Sequence, residues 1–249
     1  MGSVVSKIAH SKEGEVIRDK KEGESPDTER EASDSLTQIF KHLNNRKGTD
    51  FFNYKSSTIH RRIEKRMSHI GINSMDEYVR YMEEHAEEAD KLFNEMLIGF
   101  TSFFRDPEVF EQLEKYLKNL LRDKAQDDSI RAWVPGCATG EEAYTLAIML
   151  NELLGENLRR FDVQVFATDI DDNALKIARK GIYSSKALEN ISNEILDKYF
   201  KQLSDGSYEV DTGIRDLVLF SRHDITNHPP FLRLDLISCR NLLIYFNSE

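Results

Sequence analysis

The sequence predicts an α/β fold: a small N-terminal helical domain, then a Rossmann-like parallel sheet that carries a small antiparallel β insertion. Three observations lead to this prediction. Apolar residues recur at helical spacing between residues 36 and 97, strands and helices alternate from residue 130 to residue 180, and this alternation is interrupted between residues 183 and 220. Alternation of strands with helices is typical of a parallel sheet that is covered by helices.

The bulk composition is that of a globular protein. The chain has 249 residues, of which 39% are hydrophobic and 31% charged. No apolar run reaches the roughly 18–20 residues that a membrane-spanning helix needs, so we expect a cytoplasmic protein without membrane insertion. The net charge of −10 disfavours a nucleic-acid partner, because phosphate binding needs a basic surface. Cys137 and Cys239 form no metal-ligand or redox motif, and no metal site is expected.

The N-terminal third divides into a tail and a helical domain. Residues 1–35 are polar without an apolar period, and we expect a disordered tail or linker there. The helical domain is predicted to cover residues 36–105. Ile59, Ile63, Met67 and Ile70 form one apolar stripe. Ser74-Met75-Asp76-Glu77 has the pattern of a capping box, which predicts another helix start.

Residues 106–249 are predicted to form the second domain. Asp106-Pro107 predicts a helix start, with an acidic N-cap and proline at the first helical position. We expect parallel strands at 130–135, 163–168 and 234–238 and helices at 141–154 and 173–180, the helices being ended by Gly155 and Gly181. Since the chain stops soon after residue 238, further strands are expected beyond residue 249.

The β insertion is predicted at about residues 184–220. Asp205-Gly206 is a turn signal between two short stretches of strand-forming residues. Two short strands joined by such a turn are antiparallel, so the insertion is expected to form its own small sheet.

The turn Gly136–Glu142, between the first strand and its helix, is the first candidate ligand site. It has two glycines, whereas a dinucleotide motif has three, and Glu141 and Glu142 occupy the first helical turn. These carboxylates would repel a diphosphate but attract a cationic ligand such as S-adenosylmethionine (SAM), which carries a sulfonium and an ammonium group. The glycines would let the ligand approach the backbone. The alternative is a plain glycine-rich turn with acidic capping.

Three other segments offer polar groups to the same region. Asp169, at the tip of the second strand, is placed to accept both hydroxyls of a ribose. Thr101–Asp106 combines small hydroxyls, two phenylalanines and an arginine before a helix; the alternative is an ordinary helix-entry loop with Phe103 and Phe104 in the core. Cys239–Phe246 follows the last strand, where Leu242–Ile244 are predicted to pack and Asn241 and Tyr245 have polar reach.

In this order, five segments resemble the CheR-type chemotaxis receptor glutamate methyltransferases: Thr101–Asp106, Gly136–Glu142, Ala167–Asp171, Gly181–Tyr183 and Cys239–Phe246. The resemblance runs from about Asp50 to the end of the chain. It implies transfer of a methyl group from SAM to glutamate side chains of receptors, with S-adenosylhomocysteine (SAH) as the second product. The helix that contains Ile59-His60-Arg61-Arg62-Ile63 is similar to versions fused to a methylesterase or other signalling domains.

The resemblance also implies residue roles. Arg105 and Tyr245 would be catalytic, lying near the transferred methyl group and orienting the substrate glutamate. Gly99 stays outside the predicted site, because some relatives have an asparagine there. The cofactor-binding residues would be Thr101, Arg105, Glu141 and Asp169, with Asp224, Ile225, Arg240 and Asn241 at the adenosine end.

The implied protein partner is the set of acidic cytoplasmic helices of a methyl-accepting chemotaxis receptor. Arg61, Arg62, Lys65 and Arg66 would bind these helices; the alternative is a solvated helix face. We expect the protein to be a monomer.

Three alternatives to a methyltransferase of this kind are open. The first is a non-catalytic SAM- or SAH-binding scaffold or sensor module in a larger signalling protein. A nucleotide-dependent oxidoreductase is disfavoured by the glycine turn and its glutamates. Nucleic-acid methylation is disfavoured by the net charge.

Overall fold

The computed structural model describes residues 26–97, 99, 101–125 and 128–247, with side chains from residue 34 onward. Within these ranges, no helix is both long enough and apolar enough to cross a bilayer. The predicted fold class is confirmed: a helical domain is followed by a mainly parallel α/β sheet and a small antiparallel sheet. Each domain has its own apolar core.

The helical domain consists of α1 (Pro26–Lys47), α2 (Ser56–Ile70), α3 (Met75–Glu84) and α4 (Ala86–Met96). Ile59, Ile63 and Met67 of the predicted apolar stripe are buried in its core. The prediction that the tail extends to residue 35 is wrong for residues 26–35, which are helical. Pro26 suits the first helical turn, and the residues after it contain no helix breaker. Residues 1–25 of the predicted tail lie outside the described residues.

A buried ion pair holds α2, α3 and α4 together. Glu88 of α4 is completely buried. Its carboxylate accepts hydrogen bonds from Arg66 Nε and Nη2 of α2, at 2.9 and 2.8 Å, and from the Tyr78 hydroxyl of α3, at 3.0 Å. A buried charge is tolerated when it is paired and hydrogen-bonded in this way. Arg66 is therefore a structural residue of the bundle.

We expect Tyr78→Phe to lower the free energy of unfolding by about 1.5 kcal/mol, because it removes one hydrogen bond to a charged, buried acceptor. Urea unfolding followed by circular dichroism measures this change. Tyr81→Phe is the matched control. Tyr81 lies on the same helix, and the stacking of its ring on His85, with centroids 4.0 Å apart, is kept when the hydroxyl is removed. Equal stability of the two variants would contradict the role of the Tyr78 hydroxyl.

The parallel sheet has the strand order β6-β2-β1-β7, where β1 is Ser129–Pro135, β2 is Asp162–Asp169, β6 is Val218–Arg222 and β7 is Leu236–Ile237. Its helices are α5 (Pro107–Arg122), α6 (Glu141–Leu154) and α7 (Asp172–Lys180). Pairing of Pro135 with Thr168 places the carboxyl ends of β1 and β2 side by side. The strands and helices predicted in this domain are confirmed, except that the strand predicted at 234–238 is limited to Leu236–Ile237. Gly155 and Gly181 end their helices as predicted.

The small sheet has the order β3-β5-β4, with β3 at Ile182–Tyr183, β4 at Phe200–Gln202 and β5 at Tyr208–Val210. The short helices α8 (Asn193–Tyr199) and α9 (Thr212–Arg215) flank it. The turn at Asp205-Gly206 lies between β4 and β5, as predicted. The insertion, expected at about residues 184–220, differs slightly at both ends: β3 of the small sheet precedes residue 184, and β6 pairs in parallel with β2 from Val218 onward. A strand this short cannot be assigned to a sheet from its periodicity.

Two predicted helix starts are correct in position but wrong in mechanism. Helices begin after Ser74 and after Asp106, yet neither side chain makes a capping hydrogen bond. Asp106 has a positive φ of 57°, and its carboxylate instead accepts a hydrogen bond from Arg240 at 2.7 Å. The residue that was predicted to cap a helix therefore joins the start of α5 to the segment after β7.

Candidate active site

A pocket opens at the carboxyl ends of β1, β2 and β6, where parallel sheets bind ligands, and the helical domain closes one of its sides. All of the predicted catalytic and cofactor-binding residues except Glu141 line it. They are Thr101, Arg105, Asp169, Asp224, Ile225, Arg240, Asn241 and Tyr245. The structure thus brings together residues that are up to 144 positions apart in the chain, from residue 101 to residue 245.

Asp169 lies at the end of β2 with its carboxylate held by the backbone. One oxygen accepts a hydrogen bond from Ala138 N at 2.8 Å, and the other accepts one from Asp171 N at 2.9 Å. Burial raises the pKa of Asp169, and these two backbone hydrogen bonds oppose that rise. Since a carboxylate oxygen has two acceptor positions, each oxygen keeps one for a ligand donor. This geometry suits a pair of neighbouring hydroxyl groups.

The glycines of the turn are required by packing within the protein. Gly136 and Gly140 have φ values of 66° and 96°, which favour glycine. A Cβ atom on Gly136 would lie 2.9 Å from Leu242 Cδ2, and one on Gly140 would lie 2.9 Å from Ala178 Cβ. Protein side chains therefore fill the space beside both glycines, but Gly136 lines the pocket and Gly140 does not. That the turn lets a ligand approach its backbone stays a prediction.

Of the two glutamates in the first turn of α6, the pocket-lining residue is Glu142. The predicted Glu141 turns away, and its carboxylate accepts hydrogen bonds from the Thr139 hydroxyl at 2.7 and 2.9 Å. Consecutive helical residues point about 100° apart, so only one of the two can face the pocket. The predicted cofactor contact Glu141 therefore does not line the pocket, whereas its neighbour Glu142 does.

Glu142 is a desolvated carboxylate inside the pocket wall. Its side chain is 15% exposed, and the Ser238 hydroxyl donates to it at 2.6 Å. Burial raises the pKa of Glu142, while the Ser238 hydrogen bond and the positive charges of Arg240 and Arg105 oppose that rise. A desolvated anion of this kind attracts a cationic ligand more strongly than an exposed one does.

Arg240 fastens the segment after β7 to the loop that carries Arg105. Its Nη2 donates to the Arg105 carbonyl oxygen and to Asp106, both at 2.7 Å. Its guanidinium group lies over the Phe110 ring, with the carbon 4.8 Å from the centroid. Arg240 was predicted at the adenosine end; the structure places its guanidinium group against the loop of Arg105, and against Glu142 at 3.9 Å.

The segment 101–106 is both a core element and a pocket wall. Phe103 is completely buried, as expected for an ordinary helix-entry loop whose phenylalanines lie in the core. Thr101 and Arg105 line the pocket, as expected for a ligand-binding loop. Phe104 N donates to the Thr145 hydroxyl of α6 at 3.2 Å, which fixes the loop on that helix. The two interpretations of this loop are therefore compatible.

The wall after β6 is formed by residues 223–225. The Asp224 carboxylate accepts hydrogen bonds from Thr226 N, the Thr226 hydroxyl and Asn227 Nδ2, at 2.7–2.9 Å. Asp224 thus stabilises its own turn and presents that turn to the pocket. Across the pocket, Asn241 has a positive φ of 53°. In the following run, predicted to pack, Leu242 covers Gly136, but Leu243 is 62% exposed and Ile244 is 57% exposed.

Several pocket residues were missed by sequence reasoning: Tyr54, Thr58, Gly99, Glu142 and His223. Tyr54 and Thr58 belong to the helical domain, and no motif connects them with the sheet. His223 is buried; its Nε2 lies 3.0 Å from the Pro229 carbonyl oxygen, and no partner of its Nδ1 is found within the described residues. The two adjacent glutamates indicated that a carboxylate lies at this turn. They did not indicate that Glu142, rather than Glu141, faces the pocket.

The basic residues of α2 divide into two groups. Arg61 and Lys65 are exposed to solvent. Arg62 contacts Glu95 at 3.2 Å, Lys65 contacts the same carboxylate at 2.6 Å, and Arg66 is bound to the buried Glu88. The structure therefore does not present all four predicted substrate-binding residues as one free surface.

Comparison with known proteins identifies two family matches. The family described as "CheR methyltransferase, SAM binding domain" matches residues 99–249, and the family described as "CheR methyltransferase, all-alpha domain" matches residues 34–97. Together they cover the two domains of the structure.

Three curated relatives span different shares of their own length. A chemotaxis protein methyltransferase of Borreliella burgdorferi is 30% identical over 87% of this chain and 79% of its own length. Chemotaxis protein methyltransferase 2 of Vibrio cholerae is 33% identical over 81% of this chain and 71% of its own. An uncharacterised 104.1 kDa protein of Rhodobacter capsulatus is 36% identical over 88% of this chain, and the match spans only 23% of that protein.

Proposed function

Because the chain belongs to the CheR methyltransferase family and SAM is its methyl donor, we propose that it methylates glutamate side chains of chemotaxis receptors. The observation that carries the proposal is the pocket itself. It combines the carboxylates of Asp169 and Glu142 with Arg105 and Tyr245 at the carboxyl ends of the strands. The carboxylates fit a ligand that has a ribose and positive charge, and Arg105 fits a carboxylate substrate.

The predicted pocket residues and Glu142 have the following proposed roles. Asp169 accepts the ribose hydroxyls, and Glu142 takes the place predicted for Glu141, beside the cofactor's ammonium group. Arg105 and Tyr245 orient the substrate carboxylate towards the methyl group. The remaining cofactor contacts are proposed as predicted: Thr101, Asp224, Ile225 and Asn241, with Arg240 holding the Arg105 loop.

The chemistry needs positioning more than proton transfer. Bound SAM supplies a methyl group on a positively charged sulfur. A glutamate carboxylate is ionised at pH 7, given a pKa of about 4.3, so the protein need not supply a general base. An oxygen of the substrate would form a bond to the methyl carbon while the carbon–sulfur bond breaks. The electron pair of the broken bond would stay on sulfur. Alignment by Arg105 and Tyr245 in a water-poor pocket supplies the acceleration.

Two exposed cations favour an acidic helical partner. Arg61 and Lys65 lie on α2, the helix whose Thr58 and Ile59 line the pocket. A receptor helix that binds at Arg61 and Lys65 would therefore lie beside the pocket. Arg62 and Arg66 have an indirect role in partner binding: their ion pairs with Glu95 and Glu88 hold α2 against α4.

The proposed activity is tested with SAM labelled in its methyl group and a cytoplasmic fragment of a methyl-accepting receptor. We expect label on the fragment that is released as volatile methanol by mild base, as a carboxyl methyl ester requires. Base-stable label would indicate a different acceptor atom. SAH binding without any transfer would favour the non-catalytic scaffold.

We expect the affinity for SAH to fall as the pH is lowered from 7.5 to 5.5. Because the pKa of Glu142 is raised, this carboxylate becomes protonated at a higher pH than an ordinary glutamate does, as the pH falls through the raised value. The neutral acid no longer attracts the ammonium group. Glu142→Gln should bind about tenfold more weakly at pH 7.5, the loss of one hydrogen bond to a charged group, and should depend less on pH.

The matched control is Glu141→Gln. The pKa of Glu141 is also raised by burial, but its carboxylate faces Thr139 and not the pocket. This variant should keep both the affinity and the pH dependence of the parent chain. If Glu141→Gln abolished the pH dependence and Glu142→Gln preserved it, the assignment of Glu142 would be overturned.

A further inference from the structure

Tyr54 connects the helical domain to the pocket. It lies in the segment between α1 and α2, and its side chain lines the same cavity as Asp169 and Asp224. No sequence motif indicates a role for Tyr54. A tyrosine from one domain thus faces carboxylates at the strand ends of the other.

The Tyr54 ring is held in place by aromatic contacts on both sides of the domain boundary. Its centroid lies 4.9 Å from that of Phe51, in the helical domain, and 4.6 Å from that of Phe246, after β7. Rings at these separations are in favourable contact. The side chain is therefore fixed in position before any ligand binds.

Backbone hydrogen bonds fix the same segment. Lys55 N donates to the Tyr245 carbonyl oxygen at 2.8 Å, and Asn247 N donates to the Asn53 carbonyl oxygen at 2.9 Å. Asn247 Nδ2 also donates to the Tyr54 carbonyl oxygen at 3.3 Å. The position of Tyr54 is thus coupled to that of Tyr245, the proposed catalytic residue next to Phe246.

The Tyr54 side chain brings a hydroxyl donor to the wall of the cavity. Across the described ranges, none of its neighbours forms a hydrogen bond with it, although half-buried hydroxyl groups normally find a partner. Burial and the negative charges of Asp224 and Asp169 raise the pKa of Tyr54, so the hydroxyl keeps its proton. Its free donor and the carboxylates border one cavity.

We propose that Tyr54 is a cofactor-binding residue, whose hydroxyl donates a hydrogen bond to bound SAM or SAH at the wall it shares with Asp169 and Asp224. The inference rests on the proposed cofactor site and extends it: the pocket is completed by the helical domain. The domain proposed to contact the receptor would then also contact the cofactor. Cofactor binding would accordingly strengthen the contact between the two domains.

The test compares SAH binding to the parent chain, Tyr54→Phe and Tyr116→Phe by isothermal titration calorimetry. Tyr54→Phe keeps the ring and its aromatic contacts but removes the donor, and we expect affinity to fall about five- to tenfold, as for one lost hydrogen bond. Tyr116 is an exposed tyrosine on α5, outside the pocket lining, and its variant should bind within twofold of the parent.

The outcomes separate the inference from the proposed site. Failure of the folded parent chain to bind SAH would overturn both the site and the role of Tyr54. Binding by the parent chain with an unchanged affinity in Tyr54→Phe would overturn the role of Tyr54 alone. Melting temperatures without ligand should agree among the three proteins, and a large drop for Tyr54→Phe alone would assign its hydroxyl to folding instead.

Discussion

Replacing Asp169 with asparagine is expected to weaken SAH binding by a factor of roughly 100. The carboxylate keeps one acceptor position on each oxygen after its bonds to Ala138 N and Asp171 N. Two hydrogen bonds from ribose hydroxyls to a charged acceptor contribute about 1.5 kcal/mol each at the low end, so their loss corresponds to about 3 kcal/mol. Asparagine has nearly the same size but offers only one carbonyl oxygen.

Asp162→Asn is the matched control for Asp169→Asn. Asp162 begins the same strand, β2, and is exposed at the end that faces away from the pocket. The Asp162→Asn variant should leave the affinity for SAH unchanged. Comparable losses in both variants would indicate a general effect of charge, and retention of affinity by Asp169→Asn would remove the ribose assignment.

Replacing Arg105 with lysine is expected to lower the rate of methyl transfer by about 100-fold or more, while SAH affinity changes less than tenfold. A guanidinium group holds a carboxylate through two parallel hydrogen bonds, which lysine cannot reproduce. A displacement of about 1 Å at the reacting atoms is enough for a loss of this size. Single-turnover measurement with saturating SAM separates the rate from binding.

The control is Arg122→Lys, at the last residue of α5. Arg122 is exposed, and its guanidinium group donates to Asn119 on the same helix. This variant should transfer methyl groups at the parent rate. If Arg105→Lys also did so, Arg105 would have no part in orienting the substrate.

The sequence predicted the architecture well where local chemistry decides it. Strand and helix alternation, the glycines after α6 and α7, and the turn at Asp205-Gly206 depend on nearby residues alone, and all are confirmed. The end of the β insertion was wrong because the pairing partner of Val218 lies 53 residues earlier, in β2 at Val165. No local pattern contains that information.

The sequence predicted those parts of the pocket that are formed by its motifs. The family resemblance implies one site for residues from the 101–106 loop to Tyr245, and all of them except Glu141 line one pocket; their roles stay predictions. It could not settle which of Glu141 and Glu142 faces inward, because the answer depends on how α6 is rotated against the sheet. Tyr54 was missed for a similar reason: its place in the pocket depends on how the two domains pack.

The basic residues of α2 show that the partner of a charged group is also hard to predict from sequence. A cluster of cations indicates an acidic partner, but the sequence does not show whether that partner is internal. Arg66 found its acceptor in Glu88, 22 residues further along the chain. Charge alone therefore overestimated the basic surface that is available to an acidic partner.

The most direct test of the cofactor pocket is a calorimetric titration of the chain with SAH. We expect saturable binding with one site per chain, accompanied by a rise in the melting temperature of the complex. A well-folded protein that shows neither heat of binding nor thermal stabilisation at saturating SAH would contradict the assignment of this pocket.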